Sequence, residues 1–213
     1  MPGAWEQVEP SVVVVILTRE TVTTKWAVNF RNLQFPDGHS IVTLSGMPFD
    51  HARNHGCKLA VEGGFKYLFF IDDDVLLPPN TCARLMAHNK DVVSGVYFRR
   101  HEPLVPVMLK DTPEGTRWIT GLPPNSLAEV DLVGAGCLLI KTSLLRQMGS
   151  HPFEWRCDRW DLPEKERLSE DFSFCRRVRR EFDRKIFVDT TILAPHIGMC
   201  ESFNGTLVPC RLG

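Results

Sequence analysis

Three consecutive aspartates are the residues of this sequence best suited to chemistry. Asp72, Asp73 and Asp74 directly follow an apolar run at residues 68–71. Clustered carboxylates repel one another and cost stability unless a cation joins them. Mg²⁺ and Mn²⁺ bind carboxylate oxygens, and Mg²⁺ commonly shares them with substrate phosphates. We therefore expect a divalent cation and a phosphate-bearing ligand here. A turn whose Asp side chains cap the following helix would be the simpler explanation.

The position of these aspartates depends on the strands that precede them. The run at residues 68–71 predicts a central strand, since a strand covered on both faces is continuously apolar. Residues 11–19 (SVVVVILTR) predict a second strand, because they are almost entirely β-branched. In open α/β sheets, ligands bind at the carboxyl ends of the strands. The polar end of this second strand, at Thr18, Arg19 and Glu20, is therefore either part of a binding edge or an ordinary strand-to-helix turn.

A basic residue near the start of a predicted helix is a second candidate. Asp50 is suited to be the N-cap, which places Arg53 and Asn54 in the first turn and off the predicted buried face. The helix dipole disfavours a cation there. A bound anion such as a diphosphate would explain the arginine, because its forked donors match phosphate oxygens. An ordinary surface arginine is the alternative.

A carboxylate pair opens a later helix. Ser169 is a suitable N-cap, followed by Glu170 and Asp171 in the first turn. The helix N-terminus stabilises a carboxylate, so we expect Asp171 to be ionised near neutral pH and able to accept a proton. Helix capping alone would explain the pair equally well.

Two further features lie on predicted strands. Residues 129–141 (EVDLVGAGCLLIK) predict one strand interrupted by Gly134, Ala135 and Gly136. Glycine inside a strand marks either the close approach of a ligand or another backbone, or a β-bulge. His196 follows the last predicted strand, where it is either a metal ligand or a structural histidine.

Taken together, these motifs resemble the GT-A glycosyltransferases, and within them the family-two-like group. The aspartates resemble the Asp-x-Asp motif of that family. The other matching stretches, in the family's order, are His51-Ala52-Arg53-Asn54, Gly134-Ala135-Gly136, Ser169-Glu170-Asp171 and Pro195-His196-Ile197-Gly198. The resemblance covers most of the chain. It implies an α/β fold of GT-A (Rossmann-like) type, with three α/β/α layers and a mostly parallel central sheet.

The resemblance also implies a domain organisation. Residues 1–213 would form a single domain. Its nucleotide-sugar-binding part would span about residues 10–100, its acceptor-binding part about 101–198, and a tail 199–213.

The implied activity is metal-dependent, inverting transfer of a sugar from a nucleotide-diphosphate sugar, a UDP- or GDP-sugar, to an acceptor hydroxyl. Asp171 would be the general base, with Glu170 as its neighbour or substitute. Mn²⁺ or Mg²⁺ would be held by Asp74, Asp72 and His196. The donor and sugar contacts would be Thr18, Arg19, Glu20, Arg53, Asn54, Asp72, Asp73, Gly134, Ala135 and Gly136. The acceptor would be a saccharide, a protein or a modified nucleobase.

Composition excludes some classes of protein. The net charge is −1 over 213 residues, so a globally basic nucleic-acid binder is not indicated. Seven scattered cysteines without a Cys-x-x-Cys pair favour reduced thiols. The apolar run at residues 12–17 is too short for a signal peptide or a membrane span. We therefore expect a cytoplasmic protein, as in the related enzymes of bacteria and their phages.

Two other functions are compatible with parts of the sequence. A nucleotidyltransferase acting on sugar phosphates also combines an α/β sheet, paired carboxylates and magnesium. Such enzymes usually carry a glycine-rich loop after the first strand, whereas residues 17–20 (LTRE) contain no glycine. A non-catalytic carbohydrate- or nucleic-acid-binding module could use Trp155, Trp160 and the arginines between 176 and 180, a run otherwise expected to be a solvated face. That function leaves the aspartates unexplained. A zinc site formed by cysteines and His151 matches no common spacing.

Overall fold

The computed structural model describes residues 9, 11–99, 105–121, 123–197, 199–201 and 207–209. The strands are β1 (Val12–Leu17), β2 (Ser40–Leu44), β3 (Tyr67–Asp72), β4 (Val92–Tyr97), β5 (Met108–Thr112), β6 (Gly115–Trp118), β7 (Leu127–Val130), β8 (Leu132–Val133), β9 (Cys137–Lys141), β10 (Ile186–Ala194), β11 (Met199–Glu201) and β12 (Leu207–Pro209). The helices are α1 (Thr24–Arg31), α2 (Phe49–Glu62), α3 (Thr81–Ala87), α4 (Thr142–Met148) and α5 (Glu170–Arg180), with a 3₁₀ turn at Glu164–Glu166.

A seven-stranded sheet organises the fold, in the order β2-β1-β3-β9-β4-β10-β7. Five of these strands run in one direction, and β9 and β7 run against them. The protein is therefore a mixed α/β fold with a mostly parallel sheet, as the sequence predicts. The carboxyl ends of β1, β3 and β4 meet at one edge.

The prediction of a single strand over residues 129–141 is wrong. This stretch forms three strands: β7 at the edge of the large sheet, β8 in a small sheet ordered β6-β5-β8, and β9 between β3 and β4. The break at Gly134–Gly136 lets the chain leave the small sheet and enter the large one. β5 and β6 form a small antiparallel hairpin within residues 105–121.

Helices cover both faces of the large sheet. All six residues of β1 are buried, and they alternate between two apolar clusters. One cluster includes residues of α2, α4 and α5, such as Ala52, Leu144 and Val178. The other includes residues of α1 and α3, such as Trp26 and Leu85. This continuous burial explains why β1 and β3 read as unbroken apolar runs.

Within the described part of the chain, no helix has the length and apolar character needed to cross a membrane.

Candidate active site

The acidic turn and the end of β1 form one edge of the site. β1 and β3 are parallel neighbours, so Thr18, Arg19 and Glu20 follow β1 at the same edge as the aspartates. The Arg19 backbone N–H donates to Asp73 Oδ2 over 3.2 Å. The Glu20 N–H donates to Thr18 Oγ1, and Glu20 has a φ of +76°, which makes a tight turn. The predicted placement is confirmed, while the nucleotide contact of these residues stays a prediction.

Arg53 is buried, whereas the sequence predicted that it lies off the buried face of α2. Only 4% of its side chain is exposed. Its Nε donates to Glu170 Oε1 over 3.2 Å, and an Nη donates to Asp72 Oδ1 over 3.3 Å. The guanidinium lies 5.0 Å from the centre of the Phe70 ring. The apolar helical pattern missed this burial because arginine can pack against a ring while its charged end finds carboxylates.

The charge of Arg53 is stabilised by its neighbours. Burial opposes the charge, but the carboxylates of Asp72, Glu170 and Asp171 outweigh it and raise the Arg53 pKa above its usual range. The Arg53 guanidinium therefore supplies part of the positive charge that was expected beside the aspartates. Asp72, with 21% of its side chain exposed, is paired with this internal cation.

Asn54 has a structural role in place of the predicted nucleotide contact. Its Nδ2 donates to the Phe153 carbonyl over 2.8 Å, and its Oδ1 accepts from the Phe153 N–H over 2.9 Å. Both polar atoms of the amide are thus used within the protein. The pair ties the segment that follows α4 to the first turns of α2.

Tyr97, at the end of β4, is a central residue that the sequence analysis missed. Its hydroxyl donates to Asp72 Oδ2 over 3.3 Å and lies 3.0 Å from Nε2 of His196. Burial raises the pKa of Tyr97 well above its usual range, and the carboxylates of Asp72, Asp74 and Asp171 raise it further. The end of β4 at the same sheet edge as β3 was the signal that could have identified this tyrosine.

The glycines of the Gly-Ala-Gly segment make room for the Tyr97 ring. A Cβ on Gly136 would lie 2.2 Å from Tyr97 Cε2 and 2.8 Å from Asp72 Oδ2. A Cβ on Gly134 would lie 2.6 Å from Tyr97 Cδ1. The group that approaches these glycines is the Tyr97 side chain, whereas the sequence predicted a ligand or another backbone segment. Contact of Gly134, Ala135 and Gly136 with a transferred sugar stays a prediction.

We expect Gly136→Ala to destabilise the fold by about 1–3 kcal/mol, the usual range for overpacking. The new methyl group would meet the Tyr97 ring and the Asp72 carboxylate, and hydrogen bonds hold both in place. Gly121→Ala is the matched control, since a Cβ there meets nothing within 4 Å. Urea unfolding of both variants measures the difference. Equal midpoints would show that the Tyr97 ring moves aside without cost.

The segment after β10 packs against the acidic turn, as the sequence predicts. The Leu76 N–H donates to the Pro195 carbonyl over 2.9 Å, and the Ile197 N–H donates to the Asp74 carbonyl over 2.6 Å. Asp74 Oδ1 lies 3.8 Å from Nε2 of His196, of which 3% is exposed. Gly198 of the predicted motif lies outside the described residues.

The predicted metal ligands are only partly brought together. Among the described residues, no group of three His, Cys, Asp or Glu side chains is arranged to hold a metal ion. Asp72 faces Arg53 and Tyr97. Asp74 and His196 remain neighbours and supply one carboxylate and one imidazole. Mg²⁺ sites commonly use one or two protein side chains and take their other ligands from substrate phosphates and water. This smaller donor set therefore fits a cation that binds together with a diphosphate.

The carboxylate pair at the start of α5 is divided between two environments. Glu170 is 6% exposed and bonded to Arg53. Ser169 is at the N-cap position, but its hydroxyl donates to Asp171 Oδ1 in place of capping the backbone. The Phe172 N–H also donates to that oxygen, over 2.8 Å.

Burial and the adjacent charge of Glu170 raise the pKa of Asp171 to about 6, although Ser169 and Arg53 oppose the shift. The helix N-terminus was expected to keep this carboxyl acidic, but burial outweighs it. Asp171 is still predominantly ionised at pH 7, as the sequence predicts. A carboxylate with a pKa close to the working pH is suited to general-base catalysis.

The arginines of α5 are not a free basic surface. The prediction of a solvated face is wrong for Arg176, which is 6% exposed and pairs with Asp111 over 3.2 Å. Arg179 pairs with Asp131 over 2.8 Å, and Arg180 pairs with Glu166 over 3.0 Å. These carboxylates balance the cluster, which argues against its use for phosphate backbones.

Among the residues that the structure describes, the cysteines form neither a disulfide nor a metal-binding cluster. Those whose side chains the structure describes, Cys57, Cys82, Cys137, Cys157 and Cys175, are all free. Burial raises the pKa of Cys82 and Cys137 to about 12, which makes these thiols unreactive.

Comparison with known proteins extends the description of the fold. No family model and no curated protein matches this sequence. Among solved structures, the crystal structure of A197 from STIV is similar to this chain, with a TM-score of 0.63. The two sequences are 14% identical, and the match covers 93% of each chain. This similarity therefore concerns the fold alone, over nearly its whole length.

Proposed function

We propose that this protein is a metal-dependent glycosyltransferase of GT-A type that transfers a sugar from a nucleotide-diphosphate sugar to an acceptor hydroxyl. The observation that supports this best is a series of contacts at the carboxyl edge of the sheet. The Tyr97 hydroxyl donates to Asp72 and lies 3.0 Å from His196, which lies beside Asp74. The charge of Asp171 also acts on Tyr97. These contacts support a site in which Asp74 binds a cation and Asp171 accepts a proton.

The proposed roles follow from the environments of the two carboxylates. Asp171 accepts the proton of the attacking hydroxyl, since its pKa of about 6 leaves it ionised at neutral pH and basic enough to act. Asp74 and His196 would hold Mn²⁺ or Mg²⁺, which would supply Lewis-acid stabilisation of the charge on the leaving diphosphate. Thr18, Arg19 and Glu20, at the end of β1, form the donor side of the edge.

The remaining features of the proposal come from the resemblance described above. They are a UDP- or GDP-sugar donor, inversion at the anomeric carbon, and an acceptor that is a saccharide, a protein or a modified nucleobase.

Glycosyl transfer accounts for more of the site than the alternatives do. A nucleotidyltransferase acting on sugar phosphates has an ionised phosphate as its nucleophile, so it leaves the raised pKa of Asp171 without a use. A non-catalytic binding module is favoured by Trp160, which is 84% exposed. It is disfavoured by the paired arginines of α5, and it leaves the acidic turn without a role.

A donor screen tests the proposal. The protein is incubated with UDP- and GDP-sugars, with and without Mn²⁺, and release of nucleoside diphosphate is measured. We expect release from one donor only when the metal is present. Release of pyrophosphate from a nucleoside triphosphate and a sugar phosphate would establish the nucleotidyltransferase instead. No turnover of any donor or triphosphate would favour the binding module.

The pH dependence of transfer follows from the raised pKa of Asp171. We expect kcat/KM to rise with pH through a midpoint of about 6, because only the ionised carboxylate accepts the proton. The folded protein holds the Asp171 proton more tightly than the unfolded chain does between pH 3.8 and about 6. The contribution of Asp171 to stability therefore falls as pH rises through this window. A profile that is flat from pH 5 to 8 would contradict the assignment of the base.

A further inference from the structure

The buried guanidinium of Arg53 connects the two halves of the proposed site. We propose that Arg53 is a positioning residue, which fixes Asp72 and the Glu170–Asp171 turn relative to each other and does not contact the donor. This inference rests on the proposed function for its catalytic meaning. It replaces the diphosphate contact that the sequence predicted for this arginine.

The contacts of Arg53 reach three separate segments of the chain. Its Nε bonds to Glu170 on α5 and one Nη to Asp72 at the end of β3. The other Nη lies 3.5 Å from the Ala135 carbonyl in the Gly-Ala-Gly segment. Asp72 and Glu170 are 19 and 117 residues from Arg53 in the sequence. The Asp72 N–H donates to the Gly136 carbonyl over 3.2 Å, so the end of β3 and the Gly-Ala-Gly segment are already joined through the backbone. The rigid fork of Arg53 adds the start of α5 to this pair and sets its distance from Asp72.

The burial of Arg53 argues against a direct contact with a diphosphate. Its guanidinium lies 5.0 Å from the centre of the Phe70 ring and 6.0 Å from that of Phe153. Only 4% of the Arg53 side chain is exposed, and its donors are directed to protein acceptors. A phosphate could therefore bind Arg53 only by displacing a buried ion pair.

Arg53 also acts on Asp171 through its charge. The charged groups that affect the Asp171 carboxyl are Glu170, which raises its pKa, and Arg53, which lowers it. Tyr97 and Cys157 are neutral groups close enough to feel the charge of Asp171. Removing the Arg53 cation would leave Glu170 unopposed and make Asp171 harder to ionise.

The test compares Arg53→Lys and Arg53→Gln with wild type. Arg146→Gln is the matched control, since Arg146 is exposed and lies outside the site. We expect Arg53→Lys to lower kcat by about 10- to 100-fold, because a point charge cannot hold both carboxylates and a small misplacement is costly in rate. The affinity for UDP or GDP with Mn²⁺, measured by calorimetry, should stay within about twofold, because the positioning role involves no donor contact.

A carbon NMR titration of the Asp171 carboxyl gives a second readout that requires no catalysis. Arg53→Gln should move its midpoint upward from about 6 by about 1 pH unit. If Arg53→Gln does not fold, the same shift is measured between Glu170→Gln and the double variant Glu170→Gln/Arg53→Gln. Both of these variants lack the Glu170 carboxylate, so they differ from each other only in the Arg53 cation.

Two results would overturn the inference. One is a tenfold or greater loss of nucleotide affinity in Arg53→Lys, which would show that Arg53 contacts the diphosphate. The other is an Asp171 midpoint that does not depend on Arg53. If wild type neither binds nucleotide nor transfers sugar, the proposed function fails, while the titration still decides whether Arg53 controls Asp171.

Discussion

Asp171→Asn is expected to lower the rate of sugar transfer by about 100- to 10,000-fold, the usual contribution of a positioned general base. Asparagine has the size of aspartate and can still accept the Phe172 N–H bond, but it cannot take the proton of the acceptor. Donor affinity should change little, because the metal contacts proposed above are at Asp74 and His196 and do not include Asp171. Single-turnover transfer, measured beside a titration of the donor nucleotide, separates the two effects.

Glu170→Gln is the matched control for this prediction. Glu170 is bonded to Arg53, so we expect its variant to lose stability and part of the rate while keeping a functional base. If Asp171→Asn transfers sugar at a rate near that of wild type and Glu170→Gln is inactive, then Glu170 is the base. If both variants are active, the base should be sought in the segment between α4 and α5, residues 149–169. Asp158 would then be tested before Asp161, which is held by Arg159 over 2.6 Å.

Features with a local sequence signal were predicted well. The runs that form β1 and β3 are continuously apolar because both faces of each strand are covered. This pattern was sufficient to predict the two strands and the acidic residues at the end of β3. Ser169 marks the start of α5, which placed Glu170 and Asp171 in its first turn. The proximity of His196 to Asp74 was also predicted, but that prediction came from the resemblance to the GT-A family and not from a local sequence signal.

Features set by contacts distant in sequence could not be predicted in this way. The insertion of β9 between β3 and β4 depends on strand pairings that leave no periodic pattern. The burial of Arg53 depends on Glu170, which lies 117 residues away. The role of Tyr97 depends on glycines at positions 134 and 136 and on the direction of β4.

Asp74→Ala is expected to abolish transfer and to weaken nucleotide binding in the presence of Mn²⁺ or Mg²⁺. The substitution removes the carboxylate that lies beside His196, so only one of the two proposed metal ligands would remain. Nucleotide binding measured in the presence of a chelator should be equal in the variant and in wild type, since the lost contact acts only through the metal. Calorimetric titration of UDP and GDP, with Mn²⁺ and with a chelator, makes this comparison.

Asp37→Ala is the control for Asp74→Ala, because Asp37 is an exposed aspartate in the turn before β2. It should leave both transfer and metal-dependent binding unchanged. Asp72→Asn separates the two acidic positions further. It weakens the bond to Arg53 without removing Asp74, so it should lower the rate while nucleotide binding still responds to Mn²⁺. If Asp74→Ala transfers sugar normally after chelation, the acidic turn does not act through a metal. Asp72 would then serve to balance the buried charge of Arg53.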